Sequence, residues 1–151
     1  MSTAAVMIEM DICATPERIW KAWTDAAELS TWFTMNANVK PEPGGPYELF
    51  WEPDYPERNS TLGCTVLEAR RGQKLAFTWK GPIQFAYFMN NEPSTSVTLT
   101  FKASDSGMVT VRLRHAGWRE GVHWRQARMW HESAWRAALT RLKSMLECQA
   151  K

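Results

Sequence analysis

The sequence predicts an α+β fold in which a curved antiparallel sheet of about six to seven strands wraps around a long C-terminal helix. Residues 122–149 contain neither glycine nor proline, and at about 1.5 Å per residue they would form a helix on the order of 40 Å long. Several shorter segments alternate apolar and polar residues with the period of two that is typical of strands, and short turns separate them. Only the final helix is long enough to cover the apolar face of such a sheet.

The first quarter of the chain predicts one strand followed by two short helices. Residues 6–12 alternate apolar and polar side chains, which indicates a strand with one buried face. Thr15-Pro16 combines a capping threonine with proline at the first helical position, and Asp25 begins a second capping signal. The apolar residues of the two predicted helices are Ile19, Trp20 and Trp23 in the first, and Leu29, Trp32 and Phe33 in the second.

The middle of the chain predicts further strands separated by turns. Residues 41–46 are dense in proline and glycine, and residues 51–61 predict a polar loop. Residues 83–89 are apolar without clean alternation, which predicts an irregular edge segment or a lid. The predicted strands are 47–51, 62–70, 75–79, 94–103 and 109–115, and the last of them places Val109, Val111, Leu113 and His115 on one face.

The composition favours a globular protein of the cytoplasm. The 151 residues fit a single domain over residues 1–151, and 44% hydrophobic with 23% charged residues is typical of a soluble protein. No apolar run approaches the roughly 18 residues of a membrane span, and the N-terminus lacks the basic region of a signal peptide. Cys13, Cys64 and Cys148 have no metal-ligand spacing, so we expect thiols in a reducing compartment.

Charge is distributed unevenly along the chain. Residues 112–151 carry nine Lys/Arg and three Glu, which gives +6, whereas residues 1–111 carry nine Lys/Arg and thirteen Asp/Glu, which gives −4. This pattern fits either a solvated basic helix face or attraction to an acidic partner or ligand. Nucleic acid is not an expected partner, because no base-reading or aromatic-stacking motif accompanies the charge. The nine tryptophans suit a wide apolar interior or an aromatic-lined pocket.

Several motifs along the chain occur in an order that is more specific than any one of them. The motifs are ATPERIW at 14–20, Trp32, Pro43-Gly-Gly45, Gly63, LAFTW at 75–79, SVTLTF at 96–101, His115-Ala-Gly-Trp118, and Trp135 with Leu139 and Leu142. Together they resemble the SRPBCC superfamily of START domains and the birch-pollen allergen, and within it the family named for the activator of heat-shock protein 90 ATPase. The resemblance covers essentially the whole chain. It implies a helix-grip fold, β-α-α-β(6)-α, with a central hydrophobic cavity, and its members include co-chaperone domains, small-molecule binders and polyketide cyclases.

The long helix carries an unusual mixture on its apolar stripe. On a wheel of about 100° per residue, Trp124, Arg128 and His131 lie within about 40° of Trp135. A plain core would avoid the cation and the imidazole. Two interpretations remain open for Arg128 and His131: they lie where the helix end meets water, or they line a cavity mouth and orient a carboxylate, phosphate or phenolate. Pairing of Arg128 with an acidic residue, Glu48 or Glu52, is a further alternative.

Candidate site residues follow from these faces. His115 lies at the end of the last strand, either as a core histidine or as a hydrogen-bonding group of the cavity. No phosphate loop, HExxH or nucleophile elbow is present, and the histidine spacing matches no metal site, so we expect neither a catalytic motif nor a metal or cofactor. The candidate ligand-binding residues are Trp79, His115, Trp118, Trp124, Arg128, His131 and Trp135.

The leading functional hypothesis is a cytoplasmic protein that binds a small hydrophobic or amphipathic molecule between its sheet and its last helix. A binding role is favoured over an enzymatic one. The first alternative is a co-chaperone-like protein that regulates a chaperone ATPase or pairs with a second copy of itself. The second is a cyclase- or hydrolase-type enzyme that acts on a polyketide-like substrate, with His131, His115 or Arg128 as acid/base and anion-binding groups.

Overall fold

The computed structural model describes residues 4–149 and has the predicted α+β architecture. The side chain of Cys148 lies outside the described part of the chain. The elements in chain order are β1 (Val6–Ile12), α1 (Pro16–Thr24), α2 (Ala26–Trp32), β2 (Asn36–Val39), β3 (Tyr47–Phe50), β4 (Val66–Arg70), β5 (Lys74–Trp79), α3 (Ala86–Met89), β6 (Thr95–Ala103), β7 (Val109–Ala116) and α4 (Val122–Gln149).

The strands form two antiparallel sheets. The larger one has five strands in the order β1-β7-β6-β5-β4, and β2 pairs with β3 in a separate two-stranded sheet. The two are linked because Tyr47 N donates to Cys64 O over 2.9 Å and Pro46 forms a bridge with Thr65 just before β4. Within the larger sheet, β7 lies between β1 and β6, and its residue His115 is opposite Val6 of β1.

Local sequence explains the two short helices, as predicted. The Thr15 hydroxyl caps α1 by accepting a hydrogen bond from Arg18 N over 3.1 Å, and Pro16 occupies the first turn. The Asp25 carboxylate caps α2 by accepting from Glu28 N over 3.2 Å. Both helices bury their tryptophans and leave their charged residues nearer the surface, which fixes them against the sheet and α4.

The long helix α4 packs along the sheet through its C-terminal half. Leu139, Leu142 and Leu146 are all buried, and they join a core with residues such as Leu99 and Leu113 of the sheet. At about 1.5 Å per residue, its 28 residues span about 42 Å. No helix within residues 4–149 is long and apolar enough to cross a membrane.

Three local features differ from the sequence-based expectation. The strand β2 was not predicted. β4 begins at Val66 rather than at residue 62, because a turn in which Cys64 N donates to Thr61 O precedes the strand. Residues 83–89 contain the single turn α3 within a loop. That loop is closed at its base, where Gly81 N donates to the Asn90 side chain over 2.8 Å.

Candidate functional site

A pocket of about 350 Å³ opens beside α4. Its walls come from α4, the residue after α2, the loop that follows β3, and the end of β5 with the loop that follows it. The lining residues are Phe33, Trp51, Asn59, Ser60, Trp79, Lys80, Pro82, Gln84, Trp130, His131, Ala134, Trp135 and Arg141.

Aromatic rings form most of the apolar wall. Trp79 and Trp135 pack with their ring centroids 4.9 Å apart, and Phe33 joins them at 5.5 Å from Trp135. Trp51 meets Phe33 edge to face at 5.2 Å. Trp130 is 42% exposed and forms the outer rim, where its ring lies 5.7 Å from that of Phe85. Flat rings in several orientations give the pocket apolar faces on more than one side.

His131 joins α4 to the pocket wall through two hydrogen bonds. Its Nε2 accepts from Trp79 Nε1 over 3.1 Å, and its Nδ1 donates to Ala127 O over 2.7 Å. Because a carbonyl oxygen only accepts, the ring proton lies on Nδ1 and the imidazole is neutral. Burial lowers the pKa of His131 to about 4, and the bond to Ala127 O opposes that shift.

His115 has a matching arrangement one layer deeper. Its Nδ1 accepts from Trp135 Nε1 over 3.0 Å, so its proton lies on Nε2, which donates to Thr95 Oγ1 over 2.9 Å. Burial holds the pKa of His115 well below its usual value, and the nearby His131 ring lowers it further. The centroids of the two imidazole rings are 5.3 Å apart.

This arrangement limits what the histidines can do chemically. A general base needs a free lone pair within reach of substrate, and the one acceptor nitrogen of each ring is occupied by an indole N–H. The network instead fixes the orientation of Trp79 and Trp135. Within the described part of the chain, no three His, Cys, Asp or Glu side chains lie close enough together to hold a metal ion.

Two of the described residues that line the pocket are cationic, and each donates a hydrogen bond to a backbone carbonyl. Lys80 Nζ donates to Leu62 O over 2.6 Å, and Arg141 Nε donates to Trp32 O over 3.0 Å. Among the described residues that line the pocket, none is acidic. The site therefore combines an aromatic interior with positive charge at its polar edge.

Comparison with known proteins assigns the sequence to a family. The sequence model described as "Activator of Hsp90 ATPase homolog 1-like protein" matches residues 13–147. The chain belongs to this family. The resemblance inferred from the motifs is thereby confirmed, and no curated protein sequence matches the chain.

Solved structures share the fold of this family member. Protein MLL2253 from Mesorhizobium loti is 22% identical with a TM-score of 0.76, and the match covers 95% of this chain and 96% of that one. The Aha1 dimer from Colwellia psychrerythraea is 19% identical with a TM-score of 0.72, covering 96% and 97%. An HSP90 activator from Plasmodium falciparum is 19% identical with a TM-score of 0.71, also covering 96% and 97%. At these identities the likeness shows the fold alone.

The residues that the sequence singled out fall into three groups in this family member. Trp79, His131 and Trp135 line the pocket. His115 and Trp118 are buried behind its wall, where Trp118 Nε1 donates to His115 O over 2.8 Å.

Trp124 and Arg128 lie nearer the start of α4 and outside the pocket lining. Trp124 packs edge to face on Phe88 at 5.0 Å, and the Arg119 guanidinium lies 5.4 Å from its ring. Arg128 is half-buried.

The glutamates considered as partners of Arg128 are engaged elsewhere. The Glu48 carboxylate accepts from Asn38 over 2.9 Å and from Gly63 N over 2.7 Å. The Glu52 carboxylate accepts from the Asn59 side chain.

Three of the pocket residues that the sequence reasoning missed lie on a flank of α4. On the same wheel, Trp130, Ala134 and Arg141 fall between about 100° and 140° to one side of Trp135. The pocket uses that flank together with the edge of the stripe. These three residues are spaced at i, i+4 and i+11, which places them on one face of a helix beside the core stripe. That spacing could have identified them from the sequence.

Proposed function

We propose that the protein binds a small hydrophobic or amphipathic molecule in the pocket beside α4. The observation that carries this proposal is the 350 Å³ pocket walled by aromatic rings, with a few polar groups at its edge. Small-molecule sites are usually concave, mostly apolar and supplied with a few placed polar groups. Cys13 and Cys64 are free thiols, which supports a role in a reducing compartment such as the cytoplasm.

The hydrogen-bond network supports binding rather than turnover. The Trp79 and Trp135 indoles are each held by an imidazole, so the wall is rigid before any ligand arrives. A preformed wall loses little side-chain entropy on binding, which favours affinity. A role of His131 as acid or base would first require the Trp79 hydrogen bond to break, and that bond is buried.

The test is ligand-induced thermal stabilisation against a panel of aromatic metabolites and fatty acids. A ligand at 100 times its Kd should stabilise the fold by about 2.7 kcal/mol, which shifts the melting temperature of a chain of this size by about 5–10 °C. The proposal fails if no member of the panel shifts the wild type.

Two variants localise any binding that is found. Ala134→Trp fills the pocket from α4 and should abolish the shift, whereas Ala137→Trp makes the same change at an exposed position of the same helix and should keep it. Equal ligand shifts in both variants would mean that the ligand binds elsewhere.

A second candidate is interaction with a chaperone or with a second copy of the chain. The family match supports it, as do two structural matches whose printed names are an HSP90 activator and an Aha1 dimer. Stimulation of an Hsp90 ATPase by the purified protein tests the first partner, and sedimentation tests the second. Reversal of an exposed charge on α4 by Arg125→Glu should weaken chaperone stimulation, and pocket filling by Ala134→Trp should not.

A further inference from the structure

We infer that the ligand of this pocket is an aromatic anion, with its ring body against the tryptophans and its carboxylate or similar acid group at Lys80 and Arg141. This inference rests on the proposed binding function and specifies the ligand class. It follows from three features of the site: two anchored cations, the absence of a lining acid among the described residues, and flat aromatic walls.

Both cations are held in place while most of their donors stay available. An ammonium group has three N–H donors and a guanidinium group has five. Lys80 uses one of them on Leu62 O, and Arg141 uses one on Trp32 O. The backbone carbonyls therefore fix the positions of the two charges without neutralising them.

Nearby carboxylates do not act as internal partners of these cations. In the loop after β3, Glu52 accepts from Asn59 and lies 3.9 Å from the Arg58 Nε. Glu48 is engaged by Asn38 and by Gly63 N. The ion pairs within residues 4–149 include neither Lys80 nor Arg141.

Lys80 and Arg141 both line a pocket whose other walls are largely aromatic. A charge near a protein surface attracts an anion more strongly than the same charge in open water. The Arg141 guanidinium can also bind a planar acid group with two parallel hydrogen bonds. An acid group at either cation would gain a charge-assisted hydrogen bond.

The shape of the apolar wall selects a ring rather than a flexible chain. The Trp135 ring lies 4.9 Å from that of Trp79 and 5.5 Å from that of Phe33, centroid to centroid, and all three rings line the pocket. Stacking and edge-to-face contacts with such rings favour an aromatic body beyond its buried area. A flexible acyl chain would gain the area term but would lose more conformational entropy on binding.

The experiment compares four probes that separate charge from shape. These are 2-naphthoate, its neutral isostere 2-naphthamide, the cation 2-naphthylmethylammonium, and the aliphatic anion decanoate, each titrated by tryptophan fluorescence quenching and calorimetry. We expect 2-naphthoate to bind the wild type about tenfold or more tightly than 2-naphthamide, with the ammonium probe weakest. The preference should shrink as salt is raised, since screening weakens partly exposed charge pairs.

Matched variants assign the preference to the pocket. Lys80→Met and Arg141→Met should each bring 2-naphthoate towards the affinity of 2-naphthamide while leaving the amide little changed. Arg136→Met removes an equal charge from an exposed position of α4 and should keep the wild-type preference. Urea midpoints establish that each variant is folded, and the wild-type comparison of the four probes needs no variant.

Each outcome decides between the two levels of the proposal. Equal binding of 2-naphthoate and 2-naphthamide, both lost in Ala134→Trp, would overturn the anion inference and leave the binding function standing. Tighter binding of decanoate than of 2-naphthoate would overturn the aromatic part. Probe binding that survives Ala134→Trp, or none at all, would overturn the pocket as the site and the inference with it.

Discussion

The buried His131 makes the fold sensitive to acid in a way that can be measured. Its imidazole is neutral in the folded state and only 1% exposed, and burial lowers its pKa from 6.5 to about 4. Above about pH 6.5 the ring is neutral in both the folded and the unfolded chain, so it contributes no pH dependence. Between about pH 6.5 and 4 the unfolded chain binds a proton that the folded chain does not, and the free energy of unfolding falls.

The size of this loss follows from the two pKa values. With 6.5 for the unfolded state and about 4 for the folded state, linkage predicts a loss of about 2 kcal/mol by about pH 5 and about 3 kcal/mol by about pH 4. His115 acts in the same direction, because its pKa is also lowered by burial. Carboxylates that titrate in this range contribute equally to the wild type and to a variant at position 131, so they cancel in the difference.

The variant His131→Gln isolates this contribution. A glutamine carbonyl can still accept from Trp79 Nε1, but it does not titrate. Urea unfolding followed by tryptophan fluorescence, at about pH 7 and about pH 5, should show that the wild type loses about 2 kcal/mol more stability than the variant. The control is His123→Gln, which removes an exposed imidazole near the start of α4 and should keep the wild-type pH dependence.

The result that refutes the reasoning is an equal pH dependence in the wild type and in His131→Gln. Nuclear magnetic resonance provides an independent check of the tautomer. The proton should lie on Nδ1 and should persist through about pH 5, since Nδ1 donates to Ala127 O. A doubly protonated ring at that pH would contradict the assignment.

Three further perturbations test parts of the structure. Trp79→Phe keeps an aromatic ring but removes the N–H that donates to His131 Nε2, so the free energy of unfolding measured in urea should fall by about 1–3 kcal/mol. An unchanged free energy of unfolding would contradict a stabilising role of this hydrogen bond. Gly45→Ala drives a methyl group into a backbone carbonyl oxygen of its own turn, whereas Gly44→Ala meets no atom within 4 Å but must keep a φ of +84°. The first should lower the melting temperature more than the second, whose penalty is about 1–2 kcal/mol, and equal losses would count against the steric reason. Asn59→Ala removes the acceptor of Ile83 N at 2.8 Å, so hydrogen exchange at that amide should accelerate, and unchanged exchange would show that the two loops are held otherwise.

Much of the fold could be predicted because its signals are local. Thr15 and Asp25 cap their helices through side chains that lie within three residues of their partners, so the sequence carries the whole signal. The stripe through Leu139 and Leu142 is periodic within one helix. By contrast β2, residues 36–39, is short and pairs with β3, so its formation depends on a partner strand about ten residues away.

The pocket was harder to predict because its polar edge is assembled from distant parts of the chain. Arg141 is positioned by Trp32 O, 109 residues earlier, and Lys80 by Leu62 O across a loop. Neither hydrogen bond has a sequence signature. The stripe directed attention to Arg128, whereas the pocket lies on the neighbouring flank of α4, where Trp130 and Arg141 project.

The mixture of tryptophan and histidine on the α4 stripe has a physical reason in the hydrogen bonding of the indoles. A buried indole N–H is stabilised by an acceptor, and an apolar core offers few. Trp32 and Trp51 use backbone carbonyls, whereas Trp79 and Trp135 point across the core towards imidazole nitrogens. A neutral histidine is an acceptor that can sit inside a helix stripe, and its other nitrogen donates locally, so the pair is satisfied without charge. The two imidazoles therefore accept hydrogen bonds that orient Trp79 and Trp135, and these two indoles form part of the pocket wall.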